Sequence, residues 1–312
     1  MSGPFVLVPL GVVDATISSS TIAEPAAGET AWNAATNYVV GKEAILTATH
    51  RVYTNLIAGI NATSPELALT GATPRWLDTR PTNKWAAFDG QITTQSSLVT
   101  PLTYVLLPGL FNAVALYGLD GSNISVSIKD APGGSVIYTY TSSLQQPPID
   151  YYDYYFGAIR PMTKVLLSGI TPYANPEVTI SITSGVGVTV KAGMIAFGNL
   201  RSLISVQGTG GTQYGAKAKP ITYSYIGTDI YGNTKIIRRS KATDMDIQVT
   251  VPIGDADRAL ASIQEVLDVP AAWIATDIAN YSGLNVFGLA SGDVSYSGPT
   301  HSIITVNVKG FI

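Results

Sequence analysis

Cysteine is absent from all 312 residues, which removes disulfide staples, thiolate nucleophiles, thiolate zinc sites and iron–sulfur clusters together. Histidine is nearly absent: His50 and His301 are the only two, so a His-rich metal centre or a Ser/His/Asp triad has almost no candidates. Charge is scarce as well. Only 12% of the residues are charged, about half the share of an ordinary soluble domain. The 18 basic and 21 acidic residues leave a net charge of −3, with no polybasic footprint for nucleic acid or anionic lipid. Neither nucleic acid nor membrane insertion is expected, since no apolar run reaches the roughly 18 residues of a membrane helix. The apolar start, Met1 to Leu10, carries no basic residue, the first being Lys42, so no secretory signal is expected either.

What the chain does have is scattered Val, Ile, Leu and Ala within a 46% hydrophobic composition. A surface so short of charge is a poor colloid, which points to a protein largely covered in an assembly. A Thr/Ser/Tyr/Asn-rich extracellular surface would have the same composition. The length is enough for two or three domains.

Short or alternating apolar runs at Leu102–Leu107, Asn123–Lys129, Ser135–Thr141, Thr163–Leu167, Glu177–Thr183 and Gly187–Val190 read as strands separated by turn residues. Asp120-Gly121, Pro132-Gly133-Gly134 and Tyr231-Gly232-Asn233 are turn signals, the last between Thr222–Tyr225 and Lys235–Arg238, and each is expected to close a hairpin. One segment has helical spacing. Ala256, Leu260, Ile263 and Leu267 follow an acidic start at Asp255 and Asp257, and Pro270 stops the run. Composition shifts divide the chain into 1–30, an N-terminal strand or arm; 31–76, a small aromatic β module; 77–202, a β-sandwich; and 203–312, an α+β assembly domain. In the last of these a single helix covers one face of an antiparallel sheet. The expected fold class is therefore mainly β.

Two resemblances extend this reading. Ala31-Trp32, Tyr38, Gly41, Tyr53, Pro74 and Trp76 have the physical signature of a mini-domain built on aromatics, because about 45 residues supply little aliphatic core. Their spacing resembles the small chitin- and cellulose-type carbohydrate-binding modules. It departs from them at Thr54-Asn55-Leu56-Ile57, where those modules carry an aromatic-rich binding loop. Trp32, Tyr38, Tyr53 and Trp76 are thus either core or a sugar platform, on which axial C–H groups would pack against aromatic faces.

The string from Trp76 to Asp89, with Pro81-Thr82-Asn83-Lys84-Trp85 and Phe88-Asp89 inside it, resembles tail-tip and baseplate proteins of tailed bacteriophages, in which such a run opens a lectin-like β-sandwich. So do Leu107–Asn112, Ala115–Leu119, Val13–Thr16 and Ser19–Glu24, and later Tyr214-Gly215, Asp229–Thr234, Arg238-Arg239, Pro270–Ile274 and Val306–Phe311. The resemblance implies a virion structural protein, made in the host cytoplasm, that forms a homo-oligomer, meets other tail proteins and contacts host-surface glycan.

Tyrosine outnumbers phenylalanine, 17 to 7, and five aromatics crowd into Tyr151-Tyr152-Asp153-Tyr154-Tyr155-Phe156 behind Pro147-Pro148. On a surface strand such a run must send some rings outward, to serve a protein interface or a sugar; a tyrosine corner plus a subunit contact is the structural alternative. If glycan is bound, Trp32, Tyr38, Tyr53 and Trp76 are expected to carry it first, then Tyr151, Tyr152, Tyr154 and Tyr155.

Catalytic signatures fail in the sequence. Gly208-Thr209-Gly210-Gly211-Thr212-Gln213 lacks the third glycine of a dinucleotide loop, and no phosphate-loop motif occurs. The pairs Asp78/Asp89, Asp150/Asp153 and Asp244/Asp246 could serve a glycosidase, but turn and solvated-surface roles are the ordinary reading. His50 reads as a strand residue of the small module, and neither histidine has a nameable partner. No enzyme, cofactor or metal is expected. A polysaccharide depolymerase using Asp150 or Asp153, and an architectural tail protein without ligand, are the alternatives.

Overall fold

The computed structural model describes residues 3–205, 210–228, 230–276, 278 and 281–311. The Gly208-Thr209 start of the glycine run, and Asp229, lie outside them. The fold is mainly β, with one helix longer than two turns among the described residues. That is the class expected from the short apolar runs.

Residues of one face recur every second position in these strands, which is the pattern of a sheet with one buried side. In Glu177–Thr183, for instance, Val178, Ile180 and Ile182 are buried while the residues between them are half-exposed. This strand lies in an antiparallel five-stranded sheet ordered Val136–Ser143, Asn123–Lys129, Glu177–Thr183, Leu102–Leu106, Ile17–Ser20. Its buried face packs on part of a larger sheet. Tyr104, Leu106, Val126 and Ile180 from one side share a core with Val114, Leu116, Val165 and Phe197 from the other. The two layers form a β-sandwich.

The large sheet has ten strands. Its order runs Lys164–Leu167, Ala113–Tyr117, Met194–Ser202, Phe5–Pro9, Ala271–Ile274, Asn285–Ser295, His301–Gly310, Lys241–Pro252 and Gly211–Thr212, with Lys217–Thr222 also paired to Lys241–Pro252. The stretch expected as an N-terminal arm therefore supplies Phe5–Pro9 to the interior of this sheet, between Met194–Ser202 and Ala271–Ile274, and Ile17–Ser20 to the other. The sheet also runs on past residue 203, joining the sandwich to the C-terminal strands.

One face of those C-terminal strands is covered by the helix Ile253–Gln264. The expected stripe was Ala256, Leu260, Ile263 and Leu267; the buried one is Ala256, Ala259, Ile263 and Val266, and Leu267 is 45% exposed. Helical phase ends at Gln264, and the amide of Val266 donates to the carbonyl of Ile263, a tightened last turn that swings Val266 inward in place of Leu267.

Two of the three turn signals close hairpins. Pro132–Gly134 joins Asn123–Lys129 to Val136–Ser143. Tyr231–Asn233 joins Tyr225–Thr228 to Thr234–Ile237, a hairpin offset from the one expected because the strand is interrupted at Tyr223-Ser224. Asp120-Gly121 instead carries the chain from Ala113–Tyr117 in one sheet to Asn123–Lys129 in the other, so its flanking strands are not paired.

The small module has its own sheet, Glu43–Leu46, Arg51–Asn55 and Trp76–Pro81, and a second pair, Asn37–Tyr38 with Gly59–Ile60. Its last strand reaches Pro81, past the boundary at 76.

Candidate functional site

The eight aromatics singled out by sequence fall into two groups with opposite exposure. Tyr38, Tyr53 and Trp76 are buried in one cluster with Ala44, and Trp32 packs half-buried against it. Tyr38 meets Trp76 edge to face, 5.1 Å between ring centres, a favoured geometry for the ring quadrupoles. The two tyrosine hydroxyls are used within the module: that of Tyr38 accepts the amide of Asn33 at 2.8 Å, and that of Tyr53 lies 2.9 Å from Thr49 Oγ1, while the buried indole N–H groups of Trp32 and Trp76 meet no hydrogen-bond acceptor among the described residues. Buried Asn55 donates to the carbonyls of Tyr38 and Val39. Three of the four residues expected first as a sugar platform are therefore core, because a module of this size has little else to build a core from.

Tyr151, Tyr152, Tyr154 and Tyr155 are displayed. The loop that carries them leaves the edge strand Val136–Ser143 and returns at Lys164–Leu167, in the other sheet. Its base is a neck. Gln146 donates its amide to the carbonyl of Arg160, Met162 donates to Leu144, and Leu144 is buried in the sandwich core. Pro147-Pro148 stiffens the outgoing strand of the neck.

The aromatic run is a six-residue helix, Tyr151–Phe156, not a strand. Asp150 decides this locally. Its carboxylate accepts the amide of Asp153 at 2.7 Å as an N-cap, while the Asp153 carboxylate reaches back to the amide of Ile149 at 3.0 Å and lies 3.5 Å from Arg160. In so short a helix nothing packs on either side, and the rings radiate outward instead of alternating between two faces. Exposure ranges from 68% for Tyr154 to 86% for Tyr151, with Phe156 alongside. No tyrosine corner forms here. Tyr152 and Phe156 lie 5.3 Å apart, and Tyr154 meets Tyr155 edge-on at 5.0 Å, so the rings support each other as a knob.

Beside the knob is a cleft of about 190 Å³ walled by Tyr154, Pro147, Pro148 and Ile159, with Gln145, Gln146, Asp153 and Arg160 contributing polar atoms. Chemically this is an aromatic face next to amide, carboxylate and guanidinium groups. It suits a ligand with one apolar face and a rim of hydroxyls.

No family model, curated protein or solved structure matches the chain.

The carboxylate pairs are engaged elsewhere. Asp150 and Asp153 hold the helix start, Asp78 pairs with Arg51 at 2.7 Å, and Asp89 caps the amide of Gln91 at 2.8 Å, with burial raising its carboxyl above the ordinary range. Asp244 accepts the amide of Gly310 at 2.9 Å and Asp246 pairs with Lys219, so neither is merely solvated on the surface.

His50 is the feature the sequence hid. It does not sit in the strand but in the tight turn before Arg51–Asn55, at φ 55°, a conformation rare for a side-chain-bearing residue. Its ring stacks on Trp85 at 4.2 Å, with Nε2 2.7 Å from Asp14 and Nδ1 3.0 Å from Glu24, which also accepts from Thr82 at 2.7 Å. The partners lie more than 20 residues away along the chain, Asp14 and Glu24 upstream and Trp85 downstream, so no local motif could announce them. The cluster fastens the N-terminal segment to the small module. His301 begins the strand His301–Gly310, with Nδ1 3.0 Å from Thr300 Oγ1.

Proposed function

We propose that this chain is a structural protein of a phage virion, placed at the tail tip or baseplate and assembled in several copies, that attaches to host-surface glycan through the knob Tyr151–Phe156. The knob carries the reading: five aromatic side chains are held out on a hydrogen-bonded neck, where their own fold gains nothing from them. Burial of large aromatic surface is normally a main source of stability, so rings displayed in this way are explained by what they bind. A pyranose in the cleft would lay its axial C–H face on Tyr154 and turn its hydroxyls to Asp153, Arg160 and the two glutamines, with a second sugar ring meeting Tyr152 outside the cleft. The resemblance of short strings to tail proteins and the low charge support the setting. Copies repeated in an assembly would raise a weak single-site affinity through effective concentration.

The test is titration of the full chain with purified bacterial lipopolysaccharide and capsular polysaccharide, beside a Tyr152→Ala/Tyr154→Ala variant. Each lost stacking contact is worth about 0.5–1.5 kcal/mol, so the double variant is expected to bind about tenfold more weakly or worse. Its melting temperature should not change, because both rings are exposed. A wild-type chain that binds none of a broad panel, or a variant that binds as well, removes the glycan from this reading. Burial of the knob against a neighbouring tail protein would then be left as the architectural role. Asp150→Asn is informative for the depolymerase alternative: polysaccharide cleavage that this variant abolished would be required for it.

A further inference from the structure

The ribbon formed by Lys217–Thr222 and Lys241–Pro252 does not end at the sheet. Past a break, where Ser224 Oγ accepts the amide of Arg239 and Tyr223 donates to the carbonyl of Ser240, it continues as the hairpin Tyr225–Thr228/Thr234–Ile237. Among the described residues that hairpin pairs with no other strand.

Side chains directly opposite each other share a face of a ribbon. Ile226 faces Ile236 on one side and Tyr225 faces Ile237 on the other. All four are exposed, Ile226 by 66% and Ile236 by 59%. The arm is therefore apolar on both faces and covered by its own chain on neither. A lone two-stranded hairpin is marginal in water and gains stability from a third element against its apolar face.

Charge identifies that element. Segment 223–241 holds Lys235, Arg238, Arg239 and Lys241 against the single acidic Asp229, a net +3 in a chain of net −3, leaving −6 on the remainder. The helix and its exit, 253–268, carry Asp255, Asp257, Glu265 and Asp268; Arg258 pairs with Asp255 and Arg201 of the large sheet pairs with Glu265, which leaves a net −2 on Asp257 and Asp268. Exposed Leu267 and Val269 lie at the end of that helix. One surface is apolar with a basic rim, and the other is apolar with an acidic rim.

We infer that the arm 223–241 docks on a second copy of this chain, against the exit of the helix Ile253–Gln264, where Asp268 stands between exposed Leu267 and Val269. Arm and receiver are different surfaces, so the contact is head-to-tail and closes into a ring when the rotation permits. This rests on the assembly half of the proposed function and is independent of the glycan.

Light scattering and sedimentation of the full chain test it, with three variants: Ile226→Asp/Ile236→Asp, Arg238→Glu/Arg239→Glu, and Asp268→Lys. The wild type is expected to be a concentration-dependent oligomer that weakens as salt screens the contact. Each variant is expected at the mass of one chain with an unchanged melting temperature. An equal mixture of the two charge-reversed variants should reassemble, because every arm then meets a rim of opposite sign. An oligomer that the isoleucine variant leaves intact overturns the inference while sparing the assembly reading. A charge-reversed mixture that stays monomeric overturns the helix as receiver, and a wild type monomeric at all concentrations overturns both.

Discussion

Trp76→Ala is expected to unfold the small module while the large sheet stands, at a cost of about 3–5 kcal/mol to that unit. Trp76 is 1% exposed at the centre of the module's aromatic cluster. Its removal leaves Tyr38 without its edge-to-face partner and opens a cavity that a small unit cannot collapse around. Whole domains are stable by only about 5–15 kcal/mol, and a module of about 45 residues lies at or below the low end of that range. The strands Arg51–Asn55 and Trp76–Pro81, which pair along the cluster, should lose amide-exchange protection, whereas Met194–Ser202 keeps it. Trp76→Phe should retain most of the protection. If Trp76→Ala leaves Arg51–Asn55 protected, the cluster is not what holds the module. The glycan binding proposed for Tyr151–Phe156 should survive this unfolding, which separates the two aromatic groups experimentally.

Those two groups show where sequence and structure part. The mainly β class was legible because alternation with period two, as in Asn123–Lys129 and Glu177–Thr183, is a local property that burial of one face imposes. That Trp32, Tyr38, Tyr53 and Trp76 belong together was also legible, as a cluster at fixed spacing in a segment poor in aliphatic residues. Their inward orientation was not, since the same rings at the same spacing serve as core or platform. The knob was visible as composition, five aromatics in six residues, but its helical form depends on Asp150 capping Asp153, a contact that competes with the strand tendency of tyrosine. Long-range partners left no trace. Nothing near His50 announces Asp14 and Glu24, and nothing in Phe5–Pro9 distinguishes a free arm from an interior strand. The turn at Gly232, where φ is 83°, was legible, but the strands it joins, Tyr225–Thr228 and Thr234–Ile237, are offset from those the sequence suggests. The exposure of this hairpin on both faces became visible only once the neighbouring strands had been placed.

The interior position of Phe5–Pro9 gives the second large effect. Gly198→Ala is expected to lower stability by about 3 kcal/mol or more, at the upper end of overpacking costs, because the new methyl group would lie 2.1 Å from the carbonyl oxygen of Val8 and 3.1 Å from Leu7 Cγ. A flexible side chain could move aside; a backbone carbonyl in a ladder cannot do so without breaking pairing. The strand that must shift is the one joining Met194–Ser202 to Ala271–Ile274. It also serves two cores, since consecutive residues point to opposite faces: Val6 packs with the helix-side cluster and Leu7 with the cluster on the other face. Displacing it uncouples the sandwich half of the large sheet from the C-terminal half. The denaturation midpoint should fall, and amides of both Phe5–Pro9 and Ala271–Ile274 should exchange faster, an effect spread across the junction instead of confined to residue 198. Gly254→Ala is the matched control. That glycine is in the first turn of the helix with nothing within 4 Å of an added Cβ, so the same methyl should be neutral or slightly stabilising. Equal midpoints for Gly198→Ala and wild type would mean that the first strand is dispensable, and with it the continuity of the sheet through residue 203.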